Sequence, residues 1–238
     1  VQLQDGVLRI KYEYEIEEIE KDDDLCFFCS PTIIYIYSRR KSAVYFLNMY
    51  KTIAQVPLYT EMPLFTVFDE KIIYSQRECS LYKINSESLN FERFCLAKSK
   101  ITAISSSNAF NIIIYATIDG IVHILSYSKK EEINQFKAGF EIKQILVTIC
   151  MGFVVVLGDN QIVALTVNGE FIAKYNFGFL IRNIYSITVC AGIDFVAFDN
   201  FDNEIGYFEI FYPQKYKIIK KCNSEVNRIS YDPIDFVF

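Results

Sequence analysis

A short strand-like unit returns five times along this 238-residue chain, and its spacing constrains the fold more than any other feature. The unit reads Ala43-Val-Tyr-Phe-Leu47, Ser80-Leu-Tyr-Lys-Ile84, Ile121-Val-His-Ile-Leu125, Gln161-Ile-Val-Ala-Leu165 and Glu204-Ile-Gly-Tyr-Phe208. Aligned on Val44, Leu81, Val122, Val163 and Ile205, it recurs in steps of 37, 41, 41 and 42 residues. An apolar run precedes each copy, as in Asn111-Ile-Ile-Ile-Tyr115 and Gly152-Phe-Val-Val-Val-Leu157. Between run and copy sits a polar turn, clearest at Asp119-Gly120, Gly158-Asp159-Asn160 and Asp202-Asn203. Gly, Asn and Asp tolerate the positive φ that tight hairpins demand. Asn168-Gly169 marks a second hairpin, into a strand over residues 170–175. A further strand leads each block, such as Lys100-Ile-Thr-Ala-Ile104 or Ile142-Lys-Gln-Ile-Leu-Val147.

Four strands per repeat, with no helical periodicity, describe meander sheets stacked about an axis. A period of about 40–45 residues is that of one WD-repeat-type blade. The expected fold is therefore all-β, a WD-repeat-like β-propeller of about five full blades with partial blades at each end. A β-sandwich or barrel with accidental spacing is the alternative, and four consecutive steps of such similar length argue against it. Composition agrees: 52% of residues are hydrophobic and 16% aromatic, rich in the Ile, Val, Tyr and Phe that suit a pleated surface. One domain is expected over residues 1–238, with blades at about 25–57, 63–97, 100–137, 141–176 and 181–221 and half blades at 1–16 and 225–238. The acidic stretch 17–24 reads as a solvated inter-blade linker. A first residue other than Met and two half blades lead to the expectation of a segment from a longer protein.

The functional classes narrow next. A formal net charge of −5 argues against a general nucleic-acid binder, which carries a basic face to displace counterions. Arg39-Arg40-Lys41, Lys129-Lys130 and the alternation from Lys215 to Lys221 read as solvated loops and strand faces. No basic-then-apolar segment opens the chain, and the uncharged run 144–158, broken by Gly152, is shorter than the ~20 residues of a spanning helix. Seven cysteines, at 26, 29, 79, 95, 150, 190 and 222, lie mostly in apolar runs and read as reduced, buried thiols of a cytosolic protein. Cys26-x-x-Cys29 has knuckle spacing without a second Cys/His pair to complete a zinc site.

An enzyme needs its players. The single histidine, His123, sits inside a strand, where space-filling or a hydrogen bond is its expected role. No Gly-rich phosphate loop and no Gly-x-Ser-x-Gly occurs. The leading strands open with Lys100-Ile101, Ile142-Lys143, Ile181-Arg182 and Val226-Asn227-Arg228, which bring cations but no carboxylate pair for hydrolysis. Asp194, Asp199 and Asp202 read as hairpin-turn residues, and Tyr12, Tyr14, Tyr50, Tyr59 and Tyr212 as aromatics able either to anchor a partner or to cover blade faces. No catalytic, cofactor-binding or metal-ligating residue is assigned.

Four stretches, Gly152-Phe-Val-Val-Val156, Leu165-Thr-Val-Asn-Gly-Glu-Phe171, Gly192-Ile-Asp-Phe-Val-Ala197 and Tyr207-Phe-Glu-Ile-Phe-Tyr212, resemble the C-terminal propeller of BEACH-domain proteins. Thr117-Ile-Asp-Gly-Ile-Val122 resembles its preceding blade, so the likeness covers residues 100–238, and the first hundred share only the period. Neither Gly-His nor Trp-Asp is present, which is similar to the degenerate repeats of that family. The resemblance implies a non-enzymatic scaffold of a BEACH-type membrane-trafficking protein, with the BEACH and PH-like domains upstream. It implies protein partners, including its own upstream BEACH domain, with no nucleic acid and no direct membrane insertion. The implied location is cytoplasmic, peripheral at endomembranes through the parent. The alternative is a propeller subunit of a vesicle coat or ciliary transport complex; a hydrolase propeller ranks third.

Overall fold

The computed structural model describes residues 2–4, 7–11, 16–19, 25–29, 33–39, 42–47, 52–58, 64–76, 79–85, 88–189, 193–212 and 216–226. All regular structure among them is β-strand. The chain divides into two compact units, Val1–Leu96 and Ala97–Phe238, each taken by itself.

The first unit holds a three-stranded sheet of β1 (Gln2–Gln4), β2 (Val7–Lys11) and β3 (Ile16–Ile19). It also holds two four-stranded sheets, one of β4 (Leu25–Cys29), β5 (Ile34–Ser38), β6 (Ala43–Leu47) and β7 (Thr52–Pro57). The other comprises β8 (Phe65–Phe68), β9 (Lys71–Gln76), β10 (Ser80–Asn85) and β11 (Phe91–Leu96). The second unit holds three four-stranded sheets. These are β12 (Ile101–Ser107), β13 (Ile112–Thr117), β14 (Ile121–Ser126) and β15 (Glu131–Lys137), then β16 (Gln144–Val147), β17 (Val154–Leu157), β18 (Gln161–Leu165) and β19 (Phe171–Asn176). The last contains β20 (Ile181–Val189), β21 (Ile193–Asn200), β22 (Glu204–Glu209) and β23 (Lys217–Lys221).

Within each sheet, neighbours in the chain are neighbours in space and pair antiparallel, so the expected four-stranded meander is what forms. The second strands are buried on both faces: all six residues of β13 and all four of β17. That explains their uninterrupted apolar sequence, which alternation would break in a half-exposed sheet. Turns fall where polar signals placed them. Gly120 (φ 75°), Gly169 (φ 83°) and Asn203 (φ 60°) adopt left-handed backbone there. At Gly120 a Cβ would also lie 2.7 Å from the Phe140 carbonyl oxygen, so no side chain is admitted.

One regularity is invisible in the spacing. All five four-stranded sheets slip register between third and fourth strands, leaving Ile53, Phe94, Ile133, Ile172 and Ile219 as the extra residue of a bulge. A bulge bends its strand and sharpens the local twist.

Apolar side chains between successive sheets form the cores. In the first unit Tyr35, Tyr37, Val44, Phe46 and Val56 meet Ile72, Tyr74 and Ile84. In the second, Ile114, Val122 and Ile124 meet Ile145, Val154 and Val163, while Leu157, Ile162 and Tyr175 meet Ile184, Phe198 and Phe208.

Two expectations need correction. Glu17, Glu18 and Ile19, read as linker, belong to β3, because an edge strand pairs through its backbone and tolerates charged residues. The expected half blade 1–16 is accordingly part of a three-stranded sheet reaching Ile19. The half blade at 225–238 lies, beyond Val226, outside the described residues.

Candidate functional site

The β16–β17 turn and the turn after β22 bring exposed apolar side chains together on a stiff base. Thr148 is buried, its amide donates to the Phe153 carbonyl (2.9 Å), and its Oγ1 accepts from the Phe153 amide (2.9 Å). Gly152 (φ 69°) turns the chain left-handed, and a Cβ there would sit 2.5 Å from the Phe110 ring. Glycine is therefore required twice, for conformation and for close approach. The backbone amides of Cys150 and Met151 donate to the carboxylate of Asp194 at 3.1 and 2.6 Å. Asp194, 2% exposed, stands at the start of β21, so the fifth four-stranded sheet clamps a turn of the fourth. Hydrogen bonds to a charged acceptor are the strong class.

Across from this turn, Phe153 meets Phe211 edge to face at 5.2 Å, and the buried Tyr175 hydroxyl donates to the Ile210 carbonyl. Burial pushes the Tyr175 phenol up to about 12. The turns thus hold Ile149 (62% exposed), Met151 (49%), Phe211 (54%) and Tyr212 (57%) outward on a fixed frame.

A second cluster is polar and buried. Asp199, 0% exposed at the end of β21, accepts hydrogen bonds at Oδ1 from Asn183 Nδ2 (3.2 Å) and the Tyr185 hydroxyl (2.9 Å). Arg182 Nη1 lies 3.4 Å from Asp199 Oδ2 and 3.5 Å from Glu225 Oε1. Its Nη2 donates to Asn203 Oδ1 at 3.1 Å, and its guanidinium covers the Phe201 ring at 5.1 Å. Burial raises the Asp199 carboxyl above the ordinary range, outweighing the opposing pull of Tyr185, Asn183 and Arg182. Burial, followed by the hydrogen bond to Asp199 and then the Asp199 charge, raises the Tyr185 phenol.

Of the three aspartates read as turn residues, only Asp202 lies in the hairpin turn, where Asn200 Oδ1 accepts the Asp202 and Glu204 amides. Asp194 and Asp199 are buried strand carboxylates instead, each stabilised by donors that sequence spacing does not reveal. Carboxylates do reach the cations of the leading strands, from the neighbouring strand or turn: Asp159 pairs with Lys143, and Asp199 with Arg182. His123 behaves as read, stacking on Tyr115 at 4.6 Å with Nδ1 2.6 Å from Glu132 Oε2. The cysteines do not. Cys79, Cys95 and Cys222 are half-buried and Cys150 is exposed, because they occupy turns and strand ends or the half-exposed last strand of a sheet. The side chains of Cys26, Cys29 and Cys190, and Tyr12, Tyr14, Tyr50 and Tyr59, lie outside the described residues.

Tyr212 was legible as an exposed aromatic; Ile149, Met151 and Phe211 were not, being hidden in apolar runs. Gly152 inside such a run was the available signal. Among the described residues no helix is long and apolar enough to cross a membrane.

Meander sheets with this packing define a β-propeller, and comparison with solved structures shows the same fold. Hsv2 of Kluyveromyces lactis, a yeast β-propeller, with loop 6CD replaced by a Gly-Ser linker, aligns at TM-score 0.68 and 15% identity over 92% of this chain and 77% of its own. Hsv2 with complete loop 6CD aligns at 0.65 and 16% over 87% and 68%. The computationally designed Ika8 protein aligns at 0.68 and 11% over 97% and 76%. No family model and no curated protein matches the sequence.

Proposed function

We propose that this chain is a non-enzymatic protein-interaction β-propeller, one domain over its length, which docks partners through the apolar turns at Ile149–Met151 and Phe211–Tyr212. The carrying observation is that these four large side chains are about half or more exposed while the turn that carries Ile149 and Met151 is clamped by the Asp194 carboxylate through the Cys150 and Met151 amides. Pre-ordered apolar groups lose little entropy on binding, and turns on a rigid sheet are where recognition concentrates. The buried carboxylate Asp199 is engaged with Arg182 and Tyr185, and His123 with Glu132, which supports docking over catalysis at these groups.

More narrowly, the reading is the propeller portion of a BEACH-type trafficking scaffold, working in the cytoplasm on protein partners. Its support is the order of the family-like stretches, which fall on β17, the β18–β19 turn, β21 and β22 with its following turn. The test is a pull-down with the parent protein, comparing wild type with Met151→Asp/Phe211→Asp. Loss of a set of trafficking proteins, at unchanged urea midpoint, is expected. Retention of the whole set would remove the docking assignment, and a parent lacking a BEACH domain would remove the family one.

A further inference from the structure

In four of the five four-stranded sheets, the fourth strand places an apolar residue opposite the second residue of the third strand. The pairs are Val44 with Val56, Leu81 with Cys95, Val122 with Phe136 and Ile162 with Tyr175. Val56 and Tyr175 are buried there, at 4% and 3%. In the fifth sheet the pair is Ile205 with Lys220. Every residue of β23 from Lys217 to Lys221 is exposed, with a lysine where the other four sheets place an apolar residue or cysteine. Tyr216 (45%), Ile218 (37%) and Ile219 (39%) present apolar surface among the lysines. Lys217, Lys220 and Lys221 have no ion-pair partner among the described residues, whereas Lys71, Lys83 and Lys143 each have one. Glu204, across from Lys221, instead accepts from Asn200 Nδ2 at 2.9 Å.

Three lysines with no ion-pair partner among the described residues, interspersed with exposed isoleucines on a chain of net charge −5, make a local positive strip. We propose that β23 is a docking strip for an acidic protein segment carrying apolar side chains. The proposal rests on the interaction-module reading and adds the chemistry of one partner. Edge lysines and the bulge at Ile219 oppose backbone pairing with a new strand. Recognition therefore runs through side chains: carboxylates to Lys217, Lys220 and Lys221, and aliphatic groups to Tyr216, Ile218 and Ile219. Such complementarity acts on association rate and fades with salt.

The test uses the full chain and a short fluorescein-labelled peptide of Glu and Asp interspersed with Leu and Phe, followed by anisotropy. Binding is expected, weakened about tenfold or more by Lys217→Glu/Lys220→Glu, by replacing Glu and Asp with Gln and Asn, and by raised salt. Ile218→Ser/Ile219→Ser also weakens it. Methylating the peptide amides leaves it intact, since no backbone ladder forms. Equal binding to wild type and the lysine variant, or no binding to wild type at unchanged melting temperature, overturns the proposal. So does partition of the protein onto phosphatidylserine vesicles with the peptide ignored. Because Met151 and Phe211 lie outside β23, failure here leaves the pull-down outcome of the apolar turns standing.

Discussion

The two faces of the sheet β20–β23 were built to different rules. One face carries Ile184, Val196, Phe198 and Phe208, all at 3% exposure or less, packed against Leu157, Ile162 and Tyr175 of the preceding sheet. The opposite face runs Asn183, Asp199, Ile205 and Lys220 across the four strands. In the sheet before it, the equivalent row is Gln144, Leu157, Ile162 and Tyr175. Both faces are densely packed around β21, yet one gains from transfer out of water and the other from satisfied donors and acceptors. The contrast teaches that a repeat with constant spacing need not have constant chemistry. Burial alone does not say which kind of packing a position uses.

The apolar face gives the largest expected effect. Phe198 lies within 6.4 Å, centroid to centroid, of Phe177, Phe179, Phe208 and Tyr216. Its ring also occupies the space that Gly206 leaves, where a Cβ would stand 2.5 Å away. Phe198→Ala should cost about 3–5 kcal/mol, read from urea midpoints, because transfer and cavity terms add. A loss below about 1 kcal/mol would mean the aromatic cluster collapses around the void and the face is less close-packed than its geometry implies.

The polar face should answer less strongly, and with a dependence on pH that the apolar face lacks. Asp199→Ala leaves Arg182, Tyr185 and Asn183 without their shared acceptor, and about 2–4 kcal/mol of destabilisation is expected. Its pH dependence is the sharper probe. Burial holds the Asp199 carboxyl above its unfolded value, so the folded state binds the proton more tightly. The stabilisation from that proton is full below the ordinary carboxylate pKa of about 4. It falls as pH rises through the raised value and then levels. Urea midpoints of wild type should decline over that window relative to Asp199→Asn, which carries no titrating group there. Parallel curves for the two proteins would show that the Arg182 charge and the hydrogen bonds cancel the effect of burial, and a rise with pH would show that they outweigh it.

This difference between faces marks what could be read from the chain and what could not. Period, turns and the doubly buried second strands follow from local pattern, because apolar runs and Asn-Gly or Asp-Gly signals act within a few residues. Asp194 meets Cys150 and Met151 over forty residues earlier, and Asp199 meets Asn183 and Arg182 from the preceding strand. Nothing in the neighbourhood of either aspartate in sequence distinguishes it from Asp202, which does occupy a turn. The same blindness hid the apolar turns. In Ile149-Cys150-Met151 an exposed loop is written in residues that elsewhere make strands, and only Gly152 and the distant clamp reveal it.

That clamp supplies the last and smallest effect, and it joins the structural and functional halves of the contrast. Asp194 shares the strand of Phe198 and Asp199 and, by strand alternation, the face of Phe198, where it fixes the β16–β17 turn through the amides of Cys150 and Met151. Asp194→Ala removes charge-assisted bonds from two buried-side donors, and about 1–2 kcal/mol is expected from urea midpoints. The larger consequence should be local. Amide exchange at Cys150 and Met151 should rise well above that of β17 and β18, because the turn opens without the sheets opening. If pre-ordering is what makes the apolar turns a docking surface, partner capture should fall in Asp194→Ala although Ile149, Met151, Phe211 and Tyr212 are all retained. Capture at the wild-type level with fast exchange at both amides would separate the two ideas, since the side chains would then bind from a loosened turn and rigidity would contribute nothing to recognition.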